Sequence, residues 1–238
     1  MSKIFSNTDQ STKSYKTSII GTHFVPMLFS TPMVQAILNG TKTETRRIIK
    51  FPKDYDGKEI FLNGSLGLKY TSNDFDGCVK RWNFPINVND IIWVRETFVQ
   101  YPVISKNGTE IETEYKADES PIKFRWKPSL FMPKDACRIF LKCISVHAER
   151  LQDIDEQSAI NEGIEDMLLN VDTVATAYRN YMTTYKDLQK DHWSHVANDA
   201  IESYMTLWQK INGIESWNKN PFVWVYKFER TERPNDFL

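Results

Sequence analysis

Seven consecutive polar residues near the start of the chain have side chains that could do chemistry. They run from Thr41 to Arg47 and combine three hydroxyls, one carboxylate and three cations. Hydroxyls and cations at this density favour an anion or nucleotide site, in which the cations would hold a phosphate. A solvated turn explains the same residues, and their spacing alone does not decide between the two interpretations.

The polar residues are predicted to lie between a helix and a strand. The helix should begin at Ser30 and end at Gly40, because a hydroxyl followed by Pro32 is typical of a helix start and glycine of a helix end. Its apolar face comprises Val34, Ile37 and Leu38. An apolar strand from 27 to 29 precedes the helix, and a buried strand at Ile48 and Ile49 is expected after the polar residues.

A second short helix is predicted to carry a carboxylate at its end. It begins near Leu151, with Asp153 as cap and Glu156 completing a capping box, and it ends at Gly163. Glu162 therefore lies in the last turn, where the negative end of the helix dipole disfavours its ionised form. Such a carboxylate could transfer protons near neutral pH, although most glutamates in a last turn are simply exposed.

Three further strands are predicted from the alternation of apolar residues. The strand from Asp90 to Phe98 places Arg95 and Glu96 on opposite faces at its end, as at a pocket rim or in a solvated strand. The strand from Cys137 to Ala148 is apolar on both faces and should be central. The strand from Pro221 to Glu229 should complete the sheet.

The remaining segments have weaker signals. Residues 51 to 90 are expected to form hairpins with turns at Asn63-Gly64 and Asp76-Gly77. Residues 100 to 135 are predicted to be rich in loops, because their prolines oppose long regular elements. Residues 171 to 190 have apolar residues at helical spacing, and a longer helix should follow them.

Composition excludes several classes of protein. The chain has 238 residues, a net charge of −1, 26% charged and 41% apolar residues, which are ordinary values for a globular protein. This charge argues against a general polyanion binder and leaves room for a local nucleic-acid patch. The three cysteines lack the spacing of a zinc site or a disulfide framework, and no segment has the character of a membrane span or a signal peptide. We therefore expect a cytoplasmic protein without a metal or cofactor.

Several blocks of sequence, taken in order, resemble the ASCH-domain proteins, especially the type often encoded by bacteriophages. The blocks are LFSTPMVQAILNGTKTETRR, DIIWVRETF, WKPSLFMP, RIFLKCISVHAERLQDIDEQSAINEGI, LWQKING and SWNKNPFVWVYKFER. They span about Met27 to Arg230. Asn89-Asp90 departs from the Gly-Asp that is usual in the family, which affects a turn and no chemistry.

The resemblance implies an α+β fold: a PUA-like β-barrel flanked by short helices, with a cleft on one side. The domain would cover residues 25–232 and contain a helical insertion at about 168–195. A flexible N-terminal arm would occupy residues 1–24 and a tail residues 233–238.

The resemblance also implies a chemistry. Members of the PUA-like superfamily bind RNA or modified bases, and a small bacterial ASCH enzyme hydrolyses the amide of 4-acetylcytidine. The residues that match its catalytic positions are Lys42, Thr45 and Glu162. Thr45 would attack or position the acyl group, Lys42 would act as base, and Glu162 would shuttle a proton or orient Lys42. Since Lys42 and Thr45 are three residues apart, a straight strand would send them to opposite faces, so a turn or bulge must bring them together.

Further residues are predicted to bind the nucleic acid or nucleotide. Cations would hold a phosphate or developing charge, and tryptophans would stack on a base. These predicted binding residues are Arg46, Arg47, Trp93, Arg95, Glu96 and Trp126.

Three functions remain open at this point. The first is binding of RNA or a modified nucleotide in a cleft formed by the polar residues. The second is removal of an acyl group from 4-acetylcytidine-like nucleosides. The third is a phage accessory role, either by binding a host protein or as a ribonuclease.

Overall fold

The computed structural model describes residues 23–62, 68–72, 79–105, 108–119, 123, 125–167, 177–183 and 195–237. Most of the predicted N-terminal arm and both predicted turn dipeptides, Asn63-Gly64 and Asp76-Gly77, lie outside these residues. The described residues have a mixed α+β fold in which sheets predominate, as predicted.

The elements follow one another in a mixed order of strands and helices. In chain order they are β1 (Phe24–Leu28), α1 (Thr31–Leu38), β2 (Glu44–Ile48), β3 (Tyr55–Leu62), β4 (Leu68–Ser72), β5 (Val79–Trp82), β6 (Ile91–Arg95), β7 (Phe98–Ser105), β8 (Gly108–Tyr115), β9 (Phe140–Arg150), α2 (Glu156–Asn161), β10 (Asp166–Met167), β11 (Ala177–Arg179), β12 (Val196–Ala197), α3 (Ala200–Asn212) and β13 (Phe222–Thr231).

A five-stranded sheet with the order β1-β6-β9-β13-β2 forms the centre of the molecule. β1 and β6 are parallel, and the other neighbours are antiparallel. The predicted central position of β9 is confirmed. β13 does not lie at the edge but between β9 and β2, because β2 adds a further strand beyond it.

The described strands of this sheet do not form a closed hydrogen-bonded ring, since β1 and β2 are its two edges. One side chain nevertheless joins these edges. Arg47 of β2 donates a hydrogen bond from its NH2 group to the carbonyl oxygen of Leu28, the last residue of β1, at 2.8 Å. The sheet is therefore curved enough to bring its edge strands within the reach of one arginine.

Alternate residues of β13 enter two different apolar cores, as the two-residue period of a strand requires. Trp224 and Tyr226 belong to a core that includes α1, in which Val34 and Ile37 are buried. Val225 belongs to a second core, formed with α2 and α3. Each residue of the neighbouring strand β2 faces the same core as its register partner on β13. The register therefore decides which core each polar residue faces.

The helices begin and end largely as predicted. Ser30 is the N-cap residue of α1, and Gly40 follows its end with a φ of +79°. The cap of α2 is not Asp153 but Asp155, whose side chain accepts a hydrogen bond from the backbone N–H of Ser158. This difference arises because a 3₁₀ turn at Leu151–Asp153 precedes the helix.

Three predictions of local structure are wrong in the described residues. The polar residues Glu44 to Arg47 are not a turn but form strand β2, and Ile48 is exposed rather than buried. Residues 100–105 and 108–115, within the segment predicted to be rich in loops, belong instead to the paired strands β7 and β8. Residues 177–179, which were predicted to be helical, form strand β11 in a small sheet with β10 and β12.

The physical reasons differ among these cases. β2 is stabilised by pairing with β13, and a run of polar residues gives no sign of this distant partner. In β7 the strand-forming residues Val99, Tyr101 and Val103 outweigh Pro102, which an edge strand tolerates. Short apolar spacings such as that around Ala177 do not separate a helix from a strand. No helix in the described ranges combines the length and apolar character needed to cross a membrane.

Candidate functional site

Lys42 lies between the end of α1 and the start of β2, and its side chain is fully buried. Its backbone N–H donates to the carbonyl oxygen of Ala36 at 3.0 Å, which ties it to the helix. Its Nζ donates to three oxygens: Oε2 of Glu162 at 2.6 Å, the carbonyl of Glu162 at 2.8 Å and the carbonyl of Glu44 at 2.8 Å. Because an ammonium group has three N–H bonds, all the donors of Lys42 are satisfied.

Glu162 reaches Lys42 because the chain turns sharply after α2. Gly163 has a φ of +79°, a conformation that favours glycine. A Cβ atom at Gly163 would lie 2.7 Å from the Cβ of Lys42 and 2.9 Å from the Cβ of Ala36. The backbone N–H of Thr43 also donates to the carbonyl of Asn161 at 2.8 Å. The end of α2 therefore packs directly on the segment that carries Lys42.

Arg46 connects the Lys42–Glu162 pair to strand β9. Its NH1 group donates to Oε1 of Glu162 at 3.3 Å, and its Nε donates to Oε1 of Glu149 on β9 at 2.9 Å. The Arg46 side chain is almost fully buried, and its guanidinium lies 5.9 Å from the ring of Tyr204 on α3. The two oxygens of Glu162 are thus divided between one lysine and one arginine.

Glu44 forms a second branch of the same buried network. Its Oε1 atom forms an ion pair with Nζ of Lys227 at 2.8 Å and accepts a hydrogen bond from Nδ2 of Asn161 at 3.0 Å. Its Oε2 atom is buried and makes no hydrogen bond in the described part of the chain, although NH1 of Arg46 lies 3.7 Å away. We refer to Lys42, Glu44, Arg46, Glu149, Glu162 and Lys227 as the charge network.

Burial and neighbouring charges have opposite effects on pKa values in this network. Burial lowers the pKa of Lys42, and the neighbouring Glu162 carboxylate acts in the opposite direction without cancelling the effect. Burial also acts to raise the pKa of Glu149, but the hydrogen bond from His147 and the charge of Arg46 lower it overall. Lys42 therefore gives up its proton more readily than an exposed lysine does.

Thr45 is buried but faces the other side of β2. It is the register partner of Tyr226, whereas its neighbour Arg46 is the partner of Val225. Thr45 therefore faces the core that includes α1, and Arg46 faces the core that includes α2 and α3. Lys42 forms a β-bridge with Glu162 just before β2, and no described hydrogen bond joins its side chain to Thr45.

Arg47 shares the face of Thr45. Its guanidinium lies 5.1 Å from the ring of Phe29, and burial lowers its pKa. Its Nε atom is buried and makes no hydrogen bond in the described residues. Arg47 is therefore a cation held largely by backbone and aromatic contacts, without a carboxylate hydrogen-bonded to it among the described residues.

The other predicted binding residues lie in different surroundings. Trp93 is buried against Phe237, with ring centroids 5.8 Å apart, and Arg95 lies over the Trp93 ring and donates to the carbonyl of Leu130. Glu96 is buried and accepts two hydrogen bonds from Arg138, at 2.9 and 3.0 Å. Burial raises the pKa of Glu96 in spite of this partner.

None of these three residues joins the charge network through a described contact. Trp126 is half-buried in the segment before the bridge between Lys127 and Phe98. The structure thus brings Lys42, Glu162 and Arg46 together, and it places Trp93, Arg95 and Glu96 elsewhere.

A cleft of about 1350 Å³ lies next to the network. It is enclosed by α1, the end of α2, β11 and α3, and Glu162 and Gly163 form part of its wall, while Lys42 does not. Carboxylates and cations both line it, among them Glu165, Arg179 and Lys210. The network therefore borders open space at Glu162.

Sequence reasoning missed Glu44, Glu149 and Lys227 as members of the site. Glu44 stands in the polar run, but nothing in the sequence pairs it with Lys227. Glu149 follows the predicted strand, two residues after His147, and this alternation could have placed both side chains on one face. Comparison of the chain with protein-family models, curated proteins and solved structures finds no match.

Proposed function

We propose that this protein is an amidohydrolase that removes the acyl group from a 4-acetylcytidine-like nucleoside, with Lys42 and Glu162 as its acid–base pair. One observation carries the proposal: Nζ of Lys42 and Oε2 of Glu162 lie 2.6 Å apart, although the residues are 120 positions apart in the chain. These are two of the three residues that match the catalytic positions of the ASCH enzyme.

The burial of this pair supports a chemical role. Taking a lysine and a glutamate out of water costs free energy that their attraction often fails to recover. Groups whose pKa is shifted by burial and by a specific partner occur preferentially at functional sites. A solvated turn, the alternative interpretation of these residues, does not fit side chains that are fully buried.

The proposed reaction depends on the proton that Lys42 can accept and return. A neutral Lys42 takes the proton of the attacking hydroxyl as its oxygen bonds to the acyl carbon. The resulting ammonium gives that proton to the departing cytosine N4 as the C–N bond breaks. If the hydroxyl belongs to Thr45, the acyl group rests on its oxygen until water, deprotonated in the same way, releases it as a carboxylate.

Loss of a proton also changes how Lys42 is held. A neutral amine has two N–H bonds, so one of the three oxygens around Nζ is no longer needed as an acceptor. The lone pair of the amine then points toward that oxygen, which must move aside before Nζ can take a proton, while Glu162 still orients the amine. Glu162 therefore acts on the reaction by fixing Lys42.

The geometry favours a small ligand over a polynucleotide. Binding to RNA through phosphates requires accessible cations that release counterions. Lys42 and Arg46 are buried and paired with carboxylates. A polymer backbone cannot reach them in this arrangement.

A second function, binding of a modified nucleoside without turnover, is favoured by one specific observation. All three donors of Lys42 are satisfied by protein oxygens. This is the arrangement of a stable structural ammonium ion. In that case the network would shape a pocket and take no part in bond breaking.

For the fold we propose a PUA-like barrel of the ASCH type. The hydrogen bond from Arg47 to Leu28 supports this proposal, because it joins the two edge strands of the curved sheet. Short helices flank the sheet, as that architecture requires.

The experiment is to incubate the purified protein with 4-acetylcytidine and to follow release of cytidine by chromatography. We expect turnover by the wild type, and its loss in Lys42→Met and in Glu162→Gln. Lys142→Ala, which removes a lysine of β9 outside the network, should behave as the wild type. Circular dichroism of each variant checks that it is folded.

Absence of turnover by the wild type, at enzyme concentrations close to that of the nucleoside, would contradict the proposal. Tight binding of the nucleoside without turnover would support the second function instead.

A further inference from the structure

The side chain of Arg46 on β2 reaches over strand β13 to Glu149 on β9. Arg46 of β2 and His147 of β9 are both register partners of Val225, which lies on the strand between them. The guanidinium therefore spans β13 on the side of α2 and α3. At the far end, Oε2 of Glu149 lies 3.1 Å from Nε2 of His147.

Exposure increases along this chain of contacts. The side chains of Lys42, Glu162 and Arg46 are at most 4% exposed, whereas those of Glu149 and His147 are 18% and 37% exposed. The contacts therefore connect the buried Lys42–Glu162 pair to the solvent. An arginine keeps its proton at all relevant pH values, so this connection acts through charge and geometry and does not conduct protons.

We propose that Glu149 is a positioning residue of the site, which acts through Arg46 to hold the Glu162 carboxylate against Lys42. The inference rests on the proposed function for its catalytic consequence. The planar guanidinium gives it a geometric basis: once Nε is bonded to Glu149, the direction of NH1 is fixed. NH1 then takes Oε1 of Glu162 and leaves Oε2 for Lys42.

Loss of Glu149 should change how the two carboxylate oxygens of Glu162 are shared between Lys42 and Arg46. Arg46 would keep Glu162 and the more distant Glu44 as its anionic neighbours in the network, so it would compete more strongly with Lys42 for the Glu162 carboxylate. The site would also lose one negative charge. Both effects disfavour the charged form of Lys42.

Other charged and titratable groups act on Lys42 at the same time. Three of them act on its pKa directly: Glu162 after α2, and Arg46 and Arg47 of β2. Two more lie around Arg46: Tyr204 of α3, which acts on Arg46 through its charge, and Glu44 of β2, at 3.7 Å. The experiment leaves all five unchanged.

The experiment compares Glu149→Gln with Glu229→Gln, a control that removes the same charge from an exposed position of β13. The first readout is the titration of Lys42 by NMR, through its ¹³Cε resonance, assigned by its absence in Lys42→Met. The second readout is kcat and KM for 4-acetylcytidine. Glu149→Asp keeps the charge and provides a rescue variant that should fold as the wild type does.

In Glu149→Gln we expect Lys42 to titrate at a lower pH than in the wild type. We expect kcat to fall roughly tenfold or more, because small misplacements of catalytic groups have effects of this size, while KM changes little. Glu229→Gln should match the wild type in both readouts, and Glu149→Asp, which keeps the charge on a shorter side chain, should restore part of both.

An unchanged titration of Lys42 in Glu149→Gln would overturn the inference, whatever the activity. If the wild type shows no turnover, the proposed function fails and the titration alone decides the positioning role. If the wild type turns over and the titration does not move, the proposed function stands and the positioning role fails.

Discussion

Lys42 is held between two opposing effects. Burial favours its neutral form, while the Glu162 carboxylate at 2.6 Å favours its charged form. The side chain therefore sits nearer to losing its proton than an exposed lysine, yet it has a defined partner in either state. This balance distinguishes Lys42 from the other cations of the polar run, because arginines do not titrate in this range.

Two substitutions of Thr45 test whether its hydroxyl takes part in the reaction. Thr45→Val keeps the shape of the side chain and removes its hydroxyl, so the fold should be retained. If the attacking hydroxyl of the proposed mechanism belongs to Thr45, turnover of 4-acetylcytidine should be lost. Thr45→Ser keeps a hydroxyl and should retain part of the turnover. Cytidine release and the thermal midpoint of each variant provide the measurement.

The same two variants identify the nucleophile. Wild-type turnover in Thr45→Val would show that the attacking oxygen belongs to water. It would leave Thr45 as a packing residue opposite Tyr226.

The residues of the site could be predicted only in part from the sequence. The polar run and its position after a helix were visible, and the resemblance singled out Lys42, Thr45 and Glu162. Burial was not visible, since the partners that bury and neutralise Lys42 and Arg46 come from β9, β13 and the end of α2. A charge network assembled from distant strands has no local pattern.

At the scale of elements, the site depends on how closely α2 and α1 approach each other. Gly163 and Gly40 provide a matched pair of positions, because both have a φ of +79°. An added Cβ at Gly40 would meet nothing within 4 Å, whereas at Gly163 it would meet Lys42 and Ala36. Replacing each glycine by alanine therefore separates backbone strain from steric conflict.

We expect Gly40→Ala to lower the free energy of unfolding by about 1 kcal/mol, the usual cost of a left-handed conformation for alanine. Gly163→Ala should lower it by at least about 2 kcal/mol, because overpacking adds to that strain. Gly163→Ala should also reduce turnover, since Lys42 must move. Urea unfolding and the cytidine assay measure both effects, and equal losses in the two variants would contradict the close approach of α2 to Lys42.

The elements themselves were predictable where apolar periodicity was strong. α1, β6, β9 and β13 follow from regular patterns, and they form most of the central sheet and one of its cores. β2 and the hairpin of β7 and β8 did not follow, because their polar and proline-containing sequences are typical of loops as well as of edge strands. β11 shows the same ambiguity for a short apolar segment.

At the scale of the whole molecule, the charge network lies where an edge strand of the curved sheet meets α2 and α3. β2, which carries Arg46 and Arg47, is an edge strand, and its partner β13 supplies residues to two cores. The network lies on the side of α2 and α3, beside the large cleft, while Arg47 bridges to β1 on the other side. The network therefore lies between packed elements and borders the cleft at Glu162.

The C-terminal residues belong to the body of the molecule in this arrangement. Phe237 is buried among Phe24, Trp93 and Phe140, with ring centroids 4.8 to 5.8 Å apart. Trp93, one of the two tryptophans predicted to stack on a base, is among these partners and packs against Phe237. The sequence showed an aromatic on a strand and could not show which aromatic partner would cover it.

The measurement that tests the central claim most directly is the pH dependence of kcat/KM for hydrolysis of 4-acetylcytidine. In the proposed mechanism the reactive form of Lys42 is the neutral amine, and burial lowers the pKa of Lys42. The rate should therefore rise with pH and level off below the ordinary lysine value of about 10.4, and this rise should be absent from the residual rate of Lys42→Met. A profile that is flat, or that is unchanged in Lys42→Met, would contradict a catalytic role for Lys42.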